Sequence, residues 1–196
     1  NGQVMAQAQL KAWEIYGQDM LVPQSDNYYI AQAFGVKLRF PENSTPTVLA
    51  PAVQELDDIY RLKVPDPQTD GRMPVYLEAA NRIKREVGNQ AAVRSPGTGS
   101  FSLAGHILGT EEFLTQLAIA SGDPDGDEAR AMRHLMELTS DALIAFLKAI
   151  ILAGADVAIM GDSLASIDMI SPAMYREWAL PYEKKVFKAL RSFDAG

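Results

Sequence analysis

Apolar positions along the chain recur with two periods, and the alternation between them sets out the elements. Met5, Ala8, Ala12, Ile15 and Tyr16 share a helical face that Gly17 closes. Pro74 opens a second amphipathic helix carrying Tyr76, Ala79, Ala80, Ile83 and Val87, closed by Gly88. The longest stripe runs over residues 127–152, with Met132, Leu135, Met136, Thr139, Leu143, Phe146, Leu147, Ile150 and Ile151 on one broad face. Shorter helices are predicted at 30–34, at 102–108 and from a cap at Thr110 through Phe113, Leu117 and Ala120. Between these lie short apolar runs, at 20–22, 91–93 and 157–160, which read as strands. The run at 157–160, bounded by Gly154 and Gly161, is expected to be buried on both faces.

The remaining stretches are punctuation. Val36 to Phe40 alternates apolar and basic residues and predicts an exposed β-segment, whereas residues 41–51, rich in Pro, Ser and Thr, read as a loop. Leu56 to Leu62 predicts a helical turn. A last helix begins at Ser171-Pro172, a cap followed by proline in the first helical position. Pro181 removes a backbone hydrogen bond inside it, which predicts a kink near Glu177. Strand followed by helix, repeated about four times, predicts an α/β fold: a parallel sheet with helices outside. The pattern fits a doubly wound sheet as well as a closed barrel; part of a (β/α)8 barrel is the favoured reading. A closed barrel takes roughly 250 residues. The chain is therefore expected to be one barrel domain over residues 1–196, truncated at both ends.

Composition changes this picture little. The chain is 47% hydrophobic and 22% charged, with a net charge of −7 that argues against a nucleic-acid or anionic-membrane surface. The most apolar window, 142–160, is interrupted by Lys148, Gly154 and Asp156, so it reads as a buried helix and strand rather than a membrane span. A cytoplasmic protein is expected. There is no cysteine, hence no disulfide and no thiolate metal site from these residues. The acidic run from Asp123 to Glu128 has its glycine two places early for a calcium loop and His134 where that loop needs Glu. It reads as a helix-starting turn.

Candidate chemistry gathers where strands end. Asp162 directly follows the run at 157–160, and Ser163, Ser166 and Asp168 follow on the polar loop. Asp26, beside Ser25, has the same placement after the run at 20–22; capping the next helix is an equally good reading of it. After the run at 91–93 comes a loop of small residues ending in Ser100 and Phe101, without the spacing of a phosphate loop. In parallel α/β folds active sites collect at such strand ends. His106 is read as a packed or surface histidine rather than a ligand, and Arg82, Lys84, Arg85 and Glu86 as a solvated face.

Three stretches carry a family resemblance. Gln24-Ser25-Asp26 followed by AQAFGV, then SFSLAGHILGTEEFL, then the block from Gly154 to Val186 with its DSLASIDMISP and LPYEKKV, occur in this order and span nearly the whole chain. They resemble the Ser-Asp segment with its "QALG" helix, the "GPFTLAGYLLEG" region and the "LSP…LPY.K" block of the uroporphyrinogen decarboxylase superfamily. The resemblance implies a TIM-type barrel and two branches of function. One branch decarboxylates a tetrapyrrole without a cofactor, with the Ser-Asp aspartate contacting the pyrroles. The other moves a methyl group from a methylated corrinoid on a partner protein to a thiol, using zinc held by a His-x-Cys pair and a later Cys.

The segment Asp162-Ser163-Leu164-Ala165-Ser166-Ile167-Asp168-Met169-Ile170-Ser171-Pro172 is nearer the methyltransferase pattern "D..AS.D.ISP", since Ser166 stands where decarboxylases carry glycine and Asp168 is an added carboxylate. Methyl transfer is thus the leading expectation, with the zinc ligands beyond Gly196 and no metal ligand in this chain. Asp26, Asp162 and Asp168 would be its catalytic carboxylates, and Ser25, Ser100, Phe101, Ser163 and Ser166 would line the acceptor site. Tetrapyrrole decarboxylation, with Asp26 facing the protonated pyrrole, is the alternative. A third reading is a non-catalytic half-barrel that binds a corrinoid protein or pairs with a second copy as a homodimer.

Overall fold

The computed structural model describes residues 1–193. The elements run α1 (Gly2–Tyr16), β1 (Met20–Leu21), α2 (Tyr29–Ala33), β2 (Lys37–Arg39), β3 (Thr47–Ala50), a 3-10 helix (Leu56–Arg61), α3 (Met73–Val87), β4 (Ala92–Val93), α4 (Ser100–Leu108), α5 (Thr110–Gly122) and α6 (Asp127–Leu152). A 3-10 turn at Ser163–Ala165, a short α7 (Pro172–Met174), a π-helical turn (Tyr175–Ala179) and α8 (Leu180–Arg191) complete it.

The predicted parallel arrangement is present. β1 pairs with β4, Met20 opposite Ala92 and Leu21 opposite Val93, and Arg94 forms a parallel bridge with Val157. Two apolar cores flank these segments. Leu21, Val93 and Ala91 pack with Ala6 of α1 and Ala79, Ile83 and Val87 of α3. A larger core joins α2, α4, α5, α6 and α8 around Tyr29, Tyr76, Phe101, Phe146 and Trp178. The stripe predicted on α6 is the buried face of that helix, with Leu135, Met136, Leu143, Phe146, Leu147 and Ile150 fully enclosed.

Several expectations are corrected. Among the described residues there are three parallel strand positions rather than about four, because Lys37–Arg39 does not join that sheet. It pairs antiparallel with Thr47–Ala50, so the stretch read as a loop holds a strand. The run 157–160 is half-buried instead of buried on both faces, and only Val157 bridges to a neighbour. Among the described residues no strand lies along its other edge. The kink ascribed to Pro181 is a π-helical turn just before it. Leu180 N–H donates to the carbonyl of Tyr175, five residues back, and α8 then restarts with Pro181 in its first turn. Thr110 is the first residue of α5, with Gly109 at the cap position. No described helix is long and apolar enough to cross a membrane.

Candidate active site

The segments leaving the three parallel strand positions lie side by side. Thr98 Oγ1 donates to the carbonyl of Asn27 at 3.3 Å, and Gly99 N–H donates to the carbonyl of Gly161 at 2.8 Å. Together they form a cleft of about 410 Å³ lined by Asn27, Gly97, Thr98, Ser102, His106, Gly161, Asp162 and Ser163. The approach of the two glycine-bearing segments is tight. A Cβ on Gly161 would sit 3.1 Å from the carbonyl oxygen of Gly97, and one on Gly97 would meet Ile159 at 3.0 Å.

Asp162 stands at the N-terminus of α4. Its carboxylate accepts from Ser102 N–H at 2.6 Å and from Phe101 N–H at 3.3 Å. Burial pushes its carboxyl above the ordinary range, and the accepted hydrogen bonds offset only part of that. In return Ser102 Oγ accepts from Leu164 N–H at 3.2 Å. Gly99, the N-cap residue, supplies no side chain of its own.

One turn further along α4, His106 faces the same cleft. Its ring packs against Tyr28, centroids 4.7 Å apart, and its Nδ1 is buried without a partner. Burial is the main cause of a pKa lowered to about 4, with the charge of Asp26 opposing it. At neutral pH the ring is therefore neutral, one nitrogen accepting and the other donating.

Asp26 is otherwise engaged. Its side chain is 2% exposed and held by Arg72 through two hydrogen bonds, 2.5 and 2.8 Å. Ser25 Oγ at 2.8 Å, Tyr28 N–H at 2.8 Å and Tyr76 Oη at 3.2 Å also donate to it. Burial alone would raise its carboxyl; Arg72, Ser25 and the Tyr28 amide hold it below the ordinary value. Arg72 is in turn fixed by Gln32 Oε1 at 2.6 Å and by the Phe40 ring, 5.0 Å from its guanidinium carbon. Asp26 is not the N-cap of α2; that position is Tyr28.

Of the residues singled out from sequence, Asp162 and Ser163 line the cleft. Ser166 is half-buried and Asp168 exposed in the turn beyond, where the Ser166 carbonyl accepts from Met169 and Ile170 N–H; neither lines the cleft. Ser25 is exposed above Asp26, its Oγ also 2.8 Å from Tyr76 Oη. Ser100 is fully buried with its hydroxyl unpartnered. Phe101 points into the core, edge-on to Phe113 at 4.9 Å. The helix begins at Ser100 rather than Ser102 because its cap is borrowed from Asp162.

Sequence reasoning passed over His106, Asn27, Thr98, Ser102 and Arg72. A signal for two of them was available: Ser102 and His106, four residues apart, are polar partners on one face of a helix otherwise filled by Phe101, Leu103, Ala104, Ile107 and Leu108. The site does not fit a zinc centre built from this chain. The sequence has no cysteine, and among the described residues no three His, Asp or Glu side chains converge on one point.

Comparison with known proteins places these features. The family model described as uroporphyrinogen decarboxylase (URO-D) matches residues 1–195. A uroporphyrinogen decarboxylase of Xanthomonas campestris pv. campestris is 30% identical over 193 residues, 97% of this chain and 52% of its own. A methylcobamide:CoM methyltransferase of Methanosarcina acetivorans is 29% identical over 167 residues, 85% of this chain and 46% of its own. Among solved structures, a methyltransferase from Methanosarcina mazei superposes with a TM-score of 0.86 at 23% identity, covering 98% of this chain and 55% of that one. The fold is thus of the TIM-barrel type, and the chain spans about half the length of the relatives it matches.

Proposed function

The chain belongs to the uroporphyrinogen decarboxylase family, and from that premise we propose that its protein is a cytoplasmic methyltransferase moving a methyl group from a methylated corrinoid protein to a thiol or similar acceptor. The observation that carries the reading is the state of Asp26. A carboxylate offers about four lone-pair sites. Here Arg72 and the Tyr28 amide supply three donors, and the Ser25 and Tyr76 hydroxyls, which also meet each other at 2.8 Å, supply at least a fourth. The pair with Arg72 is also neutral overall. Such a carboxylate has neither the free acceptor nor the net charge to stabilise a protonated pyrrole, which is what tetrapyrrole decarboxylation would ask of it.

The cleft offers instead a neutral His106 ring on its wall, beside Ser163 and Asn27. These groups suit hydrogen bonding to the head of a small acceptor and to its departing proton. A zinc ion, which would turn a thiol into a thiolate when bound, would be held by residues outside this chain. The half-buried edge at 157–160 is where further barrel strands, or a second copy, would pair.

Decarboxylation stays the second reading because the 30% identical decarboxylase matches 97% of this chain. The two separate in one assay. Full-length protein is offered methylcobalamin with 2-mercaptoethanesulfonate, and separately uroporphyrinogen. Methylation of the thiol without loss of carbon dioxide is expected; decarboxylation without methyl transfer would overturn the proposal.

A further inference from the structure

We infer that Asp162 is a positioning residue: it caps helix α4 from across the chain and thereby fixes His106 in the cleft. This deepens the cleft reading above, on which it rests, and changes the part expected of this carboxylate. The N-cap residue of a helix ordinarily accepts from the N2 or N3 amide with its own side chain. In α4, Ser100 is the first helical residue, so Phe101 and Ser102 occupy those two positions. Gly99 at the cap has nothing to offer them. Asp162, about 60 residues away, accepts from both, at 3.3 and 2.6 Å.

The reciprocal half of a capping box is present as well. There the N3 side chain reaches back to the backbone of the capping segment, and Ser102 Oγ does this by accepting from Leu164 N–H at 3.2 Å. The glycine is part of the device. Its backbone, φ −89° and ψ 166°, is ordinary N-cap geometry, yet a Cβ there would lie 2.1 Å from the Asp162 carboxyl carbon. Gly99 is required because the foreign carboxylate fills the space its side chain would take.

His106 lies four residues beyond Ser102 on the same helix face. The cap that ties the first turn of α4 to the third strand segment therefore also sets the depth of the imidazole between Tyr28 and the cleft. With its oxygens committed to amides, Asp162 leaves ligand contact to His106 and Ser163.

The test moves the cap. In the full chain, Asp162→Ala, Asp162→Asn, Gly99→Ser and the double variant Gly99→Ser/Asp162→Ala are compared by amide exchange at Phe101 and Ser102 and by NMR titration of His106. His134, the only other histidine, serves as internal reference. Asp162→Ala should lose at least tenfold in protection of those amides and move the His106 midpoint up from about 4 toward the ordinary 6.5. Loss of a nearby negative charge alone would move it down, so the sign is informative. Asp162→Asn, whose single oxygen can still accept from Ser102 N–H, should keep the protection of Ser102 and the low midpoint while losing protection at Phe101. Gly99→Ser alone should lose protection, and the double variant should regain protection and the low midpoint, because a serine at the cap replaces the borrowed carboxylate.

The inference is overturned if Asp162→Asn behaves as Asp162→Ala, or if the double variant is no better than Asp162→Ala. A His106 midpoint that stays put while protection of Ser102 is lost overturns it too. Should Asp162→Ala not fold, Asp162→Asn and the double variant decide. None of these outcomes depends on which reaction the protein runs, so failure of the methyl-transfer reading is seen separately.

Discussion

Asp26 and Asp162 occupy equivalent places in the sequence, each just past a short parallel strand, and the fold treats them in opposite ways. Asp26 meets a guanidinium and is sealed with it, its side chain 2% and that of Arg72 20% exposed. Among the described residues Asp162 pairs with no cation; it meets the amides of a helix start and stays on the cleft wall. The same burial that would raise both carboxyls is overcome only where Arg72 adds a full positive charge. What lies opposite a strand-end carboxylate, and not its placement, decides whether it is a buried counter-ion or a wall of the site.

The largest effect should come from breaking the sealed pair. Arg72→Met leaves a buried, uncompensated Asp26 and should cost about 3–5 kcal/mol of stability, read as a lowered midpoint in urea denaturation. A loss below about 1 kcal/mol would mean that water reaches Asp26 and the pair behaves as a surface bridge.

Next is the pH dependence, where the two carboxylates should show opposite signs. The folded pKa of Asp26 is below its ordinary 3.8. Its contribution to stability is thus complete above that value and is lost as pH falls through the folded pKa. The folded pKa of Asp162 is above 3.8, so its contribution is complete below the unfolded value and is lost as pH rises through the folded one. Asp26→Asn should therefore destabilise at neutral pH and flatten the acid side of a melting-temperature profile. Asp162→Asn, which keeps an acceptor for the Ser102 amide, the shorter of the two bonds, without the cost of a buried charge, should be at least as stable as the parent there. Equal responses in both variants would erase the distinction.

Smaller is the cap itself. Asp162→Ala should cost about 0.5–2 kcal/mol, the range for losing a helix N-cap, and thermal unfolding would report it. A cost as large as that of Arg72→Met would show Asp162 holding more than one helix turn.

The sequence carried the frame of this comparison and not its content. Helices α3 and α6 were legible because their stripes are long and one face of each is buried whole. The parallel strands were legible as runs, but their burial was not: a run such as 157–160 says nothing about whether a neighbour lies on each side. β3 was hidden because Thr47–Ala50, exposed along most of its length, sits among loop-like residues. Arg72 gave no local sign, since its partner is 46 residues away and only the tertiary fold brings them together. For the same reason the start of α4 was misread. A helix capped by its own sequence would begin after Ser100, whereas one capped by Asp162 begins at it.

The smallest effect is expected at the third carboxylate of the sequence reading, and it separates stability from ligand contact. Asp168 is exposed in the turn after Ser166, and among the described residues it makes neither an ion pair nor a side-chain hydrogen bond. The turn is closed by backbone alone, with the Ser166 carbonyl accepting from Met169 and Ile170 at 3.0 Å. Asp168→Asn should accordingly change stability by no more than about 0.5 kcal/mol in either direction. Any loss of methyl transfer in that variant would then report contact with a ligand or partner rather than a damaged fold. If its melting temperature instead falls as far as that of Asp162→Ala, the carboxylate holds the loop in place, and the contrast between buried, wall-forming and free strand-end aspartates reduces to two kinds.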